Sequence, residues 1–186
     1  YSPARAKALL DLYGYTDRDG DGYRERPDGS PLTLEFTTGN DQSAKQVNEL
    51  WKRSMDGIGI RLVFKRAKWP EQLKAARAGK LQIWSVGSSS SAPDAENTLS
   101  SLYGPNAGRQ NLSRFDLPAY NALYERMVTL PDGPPRNELI REMTRLALAY
   151  LPWKVHVHSV STDLTHPRVL GWKPHPVMRR RWDAID

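Results

Sequence analysis

Three aspartates at alternate positions near the beginning of the sequence carry the clearest metal-ligand spacing in it. Asp17, Asp19 and Asp21 are followed by Gly22, which gives the first half of the calcium-loop pattern D-x-D-x-D-G. Carboxylates two residues apart can wrap around a hard cation, and the glycine permits the sharp turn. The twelfth position is Asp28, where a bidentate glutamate is usual. These aspartates are candidate ligands of a structural calcium ion, with a metal-independent Asp-Gly turn as the alternative; we expect no other cofactor.

A run of small polar residues forms a second candidate site. Gly87 is followed by Ser88, Ser89, Ser90 and Ser91, directly after a predicted strand. In open α/β sheets, ligands bind outside the carboxyl ends of the strands. Serine hydroxyls and unpaired backbone N–H groups at such a place can bind a polar or charged ligand. The alternative is an ordinary surface loop.

The histidines and serines do not form a recognisable catalytic set. His156 and His158 lie two apart on a predicted strand and therefore point to the same side. The sequence has no G-x-S-x-G elbow and no H-x-x-x-H pair of metal ligands. Because no nucleophile is paired with a base, we expect the protein not to be an enzyme.

Composition excludes some classes of protein. The 186 residues carry a formal net charge of +6 and no cysteine, so disulfides and thiolate metal sites are excluded. No stretch approaches the roughly 20 apolar residues that a membrane-spanning helix needs. A basic balance is typical of nucleic-acid binding, but no nucleic-acid motif accompanies it. We therefore expect a solvated or inter-lobe basic surface and no nucleic-acid partner.

Helices and strands alternate in the first half of the predicted structure. Ser2 and Pro3 are typical of a helix start, and Asp41 is expected to cap a second helix. Alternating or continuous apolar residues predict three strands, and Pro70 begins the helix between the last two. The order β-α-β-α-β predicts a largely parallel sheet flanked by helices. The predicted strands are Leu32–Phe36, Ile60–Phe64 and Leu81–Val86.

The second half is predicted to be mainly helical. A short helix is expected from Glu96, Asp116 is expected to cap the next, and the clearest amphipathic helix ends near Tyr150. Alternating valines then predict a late strand from Trp153 to Val160. We expect one α/β lobe over residues 1–161 and an irregular tail over residues 162–186. Trp84 is interpreted as a core residue of the third strand.

Several segments, each weakly specific alone, together resemble a known family. They occur in the order YSPARAKALL, GYTDRDGDGYRE, LTLEFTTGN, the stretch from Ile58 to Gly87, DAENTLSSLYGP and Tyr150-Leu151-Pro152. This order and spacing resemble the C-terminal lobe of family 5 extracellular solute-binding proteins, the oligopeptide- and dipeptide-binding type of bacterial ABC importers.

The resemblance implies an α/β, periplasmic-binding-protein-like lobe of type II, with a mixed, mostly parallel sheet. It implies a substrate-binding component that captures a peptide or similar small polar solute, together with an N-terminal lobe of the same protein that is missing here. The membrane permease of the importer would be its partner. The location would be the periplasm or, through a lipid anchor, the extracellular face of the membrane. A calcium-stabilised interaction or adhesion module is the alternative.

The resemblance also implies roles for single residues. Trp69 matches a position that approaches the ligand in some relatives. The loop beginning at Gly87 would contact a peptide backbone, but Ser91 stands where relatives carry the aspartate that pairs with a peptide's α-amine. The expected ligand is therefore left open between a differently held peptide, a metal chelate, a sugar and another polar solute. Asp94 and Asn97 keep the family's D-x-x-N pattern, which we expect to be structural.

Overall fold

The computed structural model describes residues 1–87, 94–157, 160, 162, 164–170 and 172. The chain divides into two compact units, Tyr1–Val86 and Gly87–Asp186. The predicted boundary between residues 161 and 162 stays a prediction, since most of the predicted tail lies outside the described residues. Among the described residues, no helix is long and apolar enough to cross a membrane.

The first unit contains a three-stranded parallel sheet in the order β2-β1-β3. The β-α-β-α-β order expected from the sequence is thus confirmed. The predicted third strand is too long, because only two of its residues pair, with Phe36 and Thr37 of β1. The elements of the first unit are α1 (Pro3–Leu12), β1 (Thr33–Thr38), α2 (Gln42–Asp56), β2 (Arg61–Arg66), α3 (Trp69–Arg77) and β3 (Ile83–Trp84).

Local signals set the helix starts of the first unit. The Ser2 hydroxyl accepts the Arg5 N–H at 3.3 Å, and the Asp41 carboxylate accepts the Ala44 N–H at 2.9 Å. Both caps confirm the sequence prediction. Gly14 follows α1 with a φ of 78°, a left-handed conformation that glycine adopts at little cost.

The core of the first unit lies where α2 and α3 cover the sheet. Its buried apolar residues include Phe36 and Leu62, which belong to neighbouring strands. The Phe36 ring lies 5.7 Å from the Phe64 ring and 6.0 Å from the Trp51 ring, measured between centroids. The aromatic contact between strand and helix fixes α2 on this face of the sheet.

The second unit is helical around its own core. Its helices are α4 (Glu96–Leu99), which continues as a 3₁₀ turn (Ser100–Leu102), α5 (Pro118–Val128) and α6 (Pro134–Tyr150), with a further 3₁₀ turn at Gly104–Asn106. Tyr120, Met127 and Met143 are completely buried in this core. The Tyr120 hydroxyl donates to the Leu99 carbonyl at 3.0 Å, which joins α5 to α4.

Two predictions for the second unit are wrong. Leu117, not Asp116, occupies the cap position of α5, and the Asp116 carboxylate instead accepts the Asn121 side-chain amide at 2.7 Å. No strand forms over the described residues 153–157, and Val155 and Val157 are about four-fifths exposed. A strand needs a neighbour for its backbone hydrogen bonds, and none of the described strands pairs with this segment.

Candidate ligand-binding edge

The carboxyl ends of the three parallel strands lie at one edge of the sheet. The strands end at Thr38, Arg66 and Trp84, and the chain leaves each end towards α2, α3 and the serine run respectively. We call residues 39–41, 67–69 and 85–86, together with Trp84, the carboxyl edge. The topology therefore brings Trp69 to the edge at which β3 ends. Gly87 begins the second unit, and residues 88–91 of the candidate site lie outside the described residues.

Trp69 is held at this edge by the start of α3. It is the first residue of the helix, and the Glu71 carboxylate accepts the Lys68 N–H at 3.0 Å just before it. The Trp69 side chain stacks on Trp84 with a centroid distance of 6.0 Å and an interplanar angle of 29°, and 51% of its surface is exposed. An open indole face of this kind can stack on a flat or apolar group.

Sequence reasoning missed the Trp69–Trp84 pair because it interpreted Trp84 as a core residue. Trp84 is only partly buried, and the last residue of β3 meets the first residue of α3 across the edge. The signal available in the sequence was positional, since Trp84 lies near the carboxyl end of one predicted strand and Trp69 lies in the connection that follows another. The ligand role of Trp69 stays a prediction.

Hydrogen bonds of two buried polar side chains fix the backbone at the carboxyl edge. The Thr38 hydroxyl donates to the Asn48 side-chain carbonyl at 3.1 Å, which ties the end of β1 to α2. The Gln72 side-chain amide donates to the Ala67 carbonyl at 2.8 Å, which ties the chain after β2 to α3. Buried polar groups with partners fix the backbone that carries the candidate site.

The three aspartates of the candidate calcium loop lie together. Oxygens of Asp17, Asp19 and Asp21 all lie within 4.8 Å of one another, and the three residues are exposed. Asp17 also accepts the backbone N–H groups of Gly20 and Gly22, at 2.7 and 2.9 Å. These bonds hold the tight turn that the sequence offers as the alternative to calcium.

The acidic cluster lies at the opposite, amino edge of the sheet. Asp21 forms an ion pair with Arg61, the first residue of β2, whose six residues span about 20 Å. Asp28 does not join the cluster but accepts hydrogen bonds from Ser30, which hold the pKa of the Asp28 carboxyl below its usual value. Any ion bound here would therefore act on the stability of the loop, and calcium binding stays a prediction.

In the second unit, the D-x-x-N segment is held by a buried arginine. The Arg136 side chain is 7% exposed and its guanidinium lies 3.0 Å from Asp94, 2.9 Å from Glu96 and 2.8 Å from Asp132. The Glu96 backbone N–H and then the Arg136 guanidinium lower the pKa of the Asp94 carboxyl. Asp94 therefore has a structural contact, while the role of the Asn97 side chain stays a prediction. Sequence reasoning did not find Arg136, which lies 42 residues from Asp94.

The family model for bacterial extracellular solute-binding proteins, family 5 (middle), matches residues 1–110. This chain belongs to that family. Heme-binding protein A of Haemophilus influenzae is 27% identical over 177 residues, covering 95% of this chain and 31% of that protein. Di/tripeptide-binding protein 2 of Pseudomonas aeruginosa is 24% identical over 189 residues, covering 100% and 34%. The family 5 chain thus spans about a third of the length of these relatives.

Solved structures show that the fold of the family 5 chain is the expected one. The mannohexaose-bound periplasmic oligopeptide-binding protein of Thermotoga maritima matches with a TM-score of 0.71 at 21% identity, covering 82% of this chain and 30% of that chain. The oligopeptide-binding protein AppA of Bacillus subtilis, in complex with a nonapeptide, matches with a TM-score of 0.72 at 15% identity and the same coverage. The α/β periplasmic-binding-protein fold is confirmed, while the assignment to the C-terminal lobe stays a prediction. These relatives are named as binding proteins, not enzymes.

Proposed function

We propose that this chain is part of the substrate-binding component of an ABC importer, which captures a peptide or similar small polar solute between two lobes. The observation that carries the proposal is the half-exposed Trp69 face, stacked on Trp84 at the carboxyl edge of a parallel sheet. Family membership supports it, as do the names of relatives that bind dipeptides, tripeptides and heme.

The proposed ligand surface consists of Trp69, Gly87 and the serines at positions 88–91. The indole face would contact an apolar part of the solute, and the serine hydroxyls would supply hydrogen bonds. Ser91 offers no negative charge to a peptide α-amine. The ligand is accordingly a peptide held by other contacts, a metal chelate, a sugar or another polar solute.

Capture works through a shift of population between open and closed forms. A solute that touches both lobes only in the closed form stabilises that form, which the permease recognises. An N-terminal lobe of the same protein supplies the opposing contacts, so this lobe alone binds weakly. The complete protein works in the periplasm or, with a lipid anchor, at the outer face of the membrane. Nucleic acid is not among the proposed partners.

Native mass spectrometry of the longer protein that contains this chain tests the proposal. A small solute should co-purify with it, and Trp69→Ala should lose the solute, while Tyr13→Ala should keep it. Tyr13 is a matched control, because it is an exposed aromatic residue outside the carboxyl edge. The Ser91→Asp variant should gain affinity for peptides with a free α-amine. No retained solute, together with no thermal shift across peptides, sugars and chelates, would count against the proposal.

The alternative function is a calcium-stabilised interaction module, and the cluster of three carboxylates within 4.8 Å favours it. Calcium titration tests this alternative, because the module hypothesis requires a rise in melting temperature and the transport proposal does not. If the module hypothesis holds, calcium raises the melting temperature of the wild type and of Glu142→Gln, an exposed helix variant, but not of Asp19→Asn. An unchanged melting temperature would contradict the hypothesis and leave the transport proposal untouched.

A further inference from the structure

A groove lies between helix α2 and the edge strand β2 in the first unit. Its volume is about 220 Å³. The α2 residues that line it form two pairs four residues apart, at positions 45 and 49 and at positions 48 and 52, and all share one helix face. The two β2 residues share one strand face. We call it the α2–β2 groove, and its lining residues are Lys45, Asn48, Glu49, Lys52, Phe64 and Arg66.

The rim of the α2–β2 groove is mainly cationic. Lys45 and Arg66 have no ion-pair or side-chain hydrogen-bond partner among the residues that the structure describes. Lys52 is paired with Asp56 at 2.9 Å, and Glu49 is the carboxylate among the lining residues. Lys45 and Arg66 therefore face the single lining carboxylate, Glu49, while Asp56 neutralises Lys52, and the net positive charge that remains favours an anion inside the groove.

A buried amide supplies a directed donor to the α2–β2 groove. Asn48 is 8% exposed, and its side-chain carbonyl accepts the Thr38 hydroxyl. Within the described part of the chain, the Asn48 NH₂ group has no hydrogen-bond acceptor. Every fully buried side-chain nitrogen in that part of the chain does have a hydrogen-bond partner. The Asn48 NH₂ group is therefore not fully enclosed, and Asn48 is among the residues that line the groove. A buried amide fixed at one end and unpaired at the other is a preorganised hydrogen-bond donor.

We propose that the α2–β2 groove binds a small organic anion, a carboxylate or phosphate attached to an apolar group. The planar Arg66 guanidinium can hold two anionic oxygens at once, and Lys45 adds a mobile charge. The Asn48 NH₂ donates to the anion, and the Phe64 ring forms the apolar floor for the rest of the ligand. Trp69 and Gly87 do not line this groove, so the site does not depend on the proposed transport function.

Titration of the full chain, followed by NMR amide spectra, tests the site. Phenyl phosphate and benzoate are the anionic probes, inorganic phosphate lacks the apolar group, and benzyl alcohol lacks the charge. The Asn48 side-chain NH₂ signal should shift in a saturable way with an anionic aromatic probe. The double variant Lys45→Gln, Arg66→Gln should weaken binding at least about tenfold. Lys65→Gln is the matched control, because Lys65 also lies on β2 but pairs with Glu35.

Four results would overturn the proposal. An equal shift with benzyl alcohol would mean that the groove is merely apolar, and equal affinity for inorganic phosphate would remove the role of Phe64. Equal weakening by Lys65→Gln would mean that only overall charge matters. If the wild type shows no saturable shift although its melting curve shows that it is folded, no such site exists. Melting curves of the variants should show in the same way that they are folded.

Discussion

Replacement of Arg136 by methionine tests the best-connected ion-pair network of the second unit. The buried guanidinium neutralises Asp94 and Glu96 and also donates to the Met127 carbonyl. Methionine keeps much of the side-chain volume but leaves these acceptors without their cation. Because Asp94 and Glu96 are partly exposed, water can solvate their carboxylates after the substitution, so the expected cost is that of the lost hydrogen bonds.

The structure sets the size of the effect. Asp132 is 93% exposed and should contribute almost nothing, because solvent screens it. Asp94 and Glu96 are 36% and 46% exposed, so each bond to Arg136 should contribute about 1 kcal/mol, below the usual range for charged hydrogen bonds. With the lost bond to the Met127 carbonyl, the free energy of unfolding should fall by about 2–3 kcal/mol. That corresponds to a melting temperature about 5–10 °C lower.

Thermal and urea unfolding at neutral pH, followed by circular dichroism, measures this change. Arg141→Met is the matched control, since Arg141 lies on the same helix, is 63% exposed and pairs with Glu138. The control should lose no more than about 0.5 kcal/mol. Equal effects of the two substitutions would refute the reasoning that burial makes Arg136 important.

The stabilities of the wild type and of Arg136→Met should respond differently to acid. The folded-state pKa of Asp94 is lowered, so its stabilisation is complete above the unfolded pKa of about 3.9 and is lost as the pH falls through the lowered folded value. The difference in unfolding free energy between wild type and Arg136→Met should therefore shrink at acid pH. A difference that stays constant down to strong acid would mean that the ion pairs contribute nothing.

Three further outcomes follow from buried or capping groups. Burial raises the pKa of the Tyr120 hydroxyl, so the unfolded state ionises first and stability should fall as the pH rises above about 10. Tyr120→Phe should have a smaller alkaline slope than the wild type, with a slope remaining because the pKa values of Tyr103 and Tyr124 are also raised, by the hydrogen bond to Glu125 and by burial respectively. It should also lose about 1 kcal/mol at neutral pH with its bond to the Leu99 carbonyl, and an alkaline slope equal to that of the wild type would contradict this. Asn48→Leu should cost about 1–3 kcal/mol in urea melts, because the buried Thr38 hydroxyl loses its partner, and unchanged stability would argue against that bond. Asp41→Ala should cost about 1 kcal/mol by removing the α2 cap, whereas Asp41→Asn, which keeps an acceptor oxygen, should cost much less.

Local patterns in the sequence predicted most of the elements correctly. Strand and helix periodicity predicted the parallel β-α-β-α-β unit, because each element must bury one apolar face and short right-handed connections then restrict the topology. The caps at Ser2 and Asp41 were readable because a cap depends on residues three positions apart. The late strand from Trp153 was predicted wrongly, because alternation of valines says nothing about whether a neighbouring strand exists.

The sequence by itself therefore determined the element order of the first unit, the family and the edge at which a ligand is expected. Only the tertiary structure decided that Trp69 stacks on Trp84, that Asn48 is buried against Thr38 and that Arg136 gathers carboxylates from distant segments. The physical reason is the sequence separation over which each interaction acts. Periodicity and capping act within a few residues, whereas stacking and buried ion pairs join side chains that only the packed chain brings together, where exclusion of water gives their contacts strength.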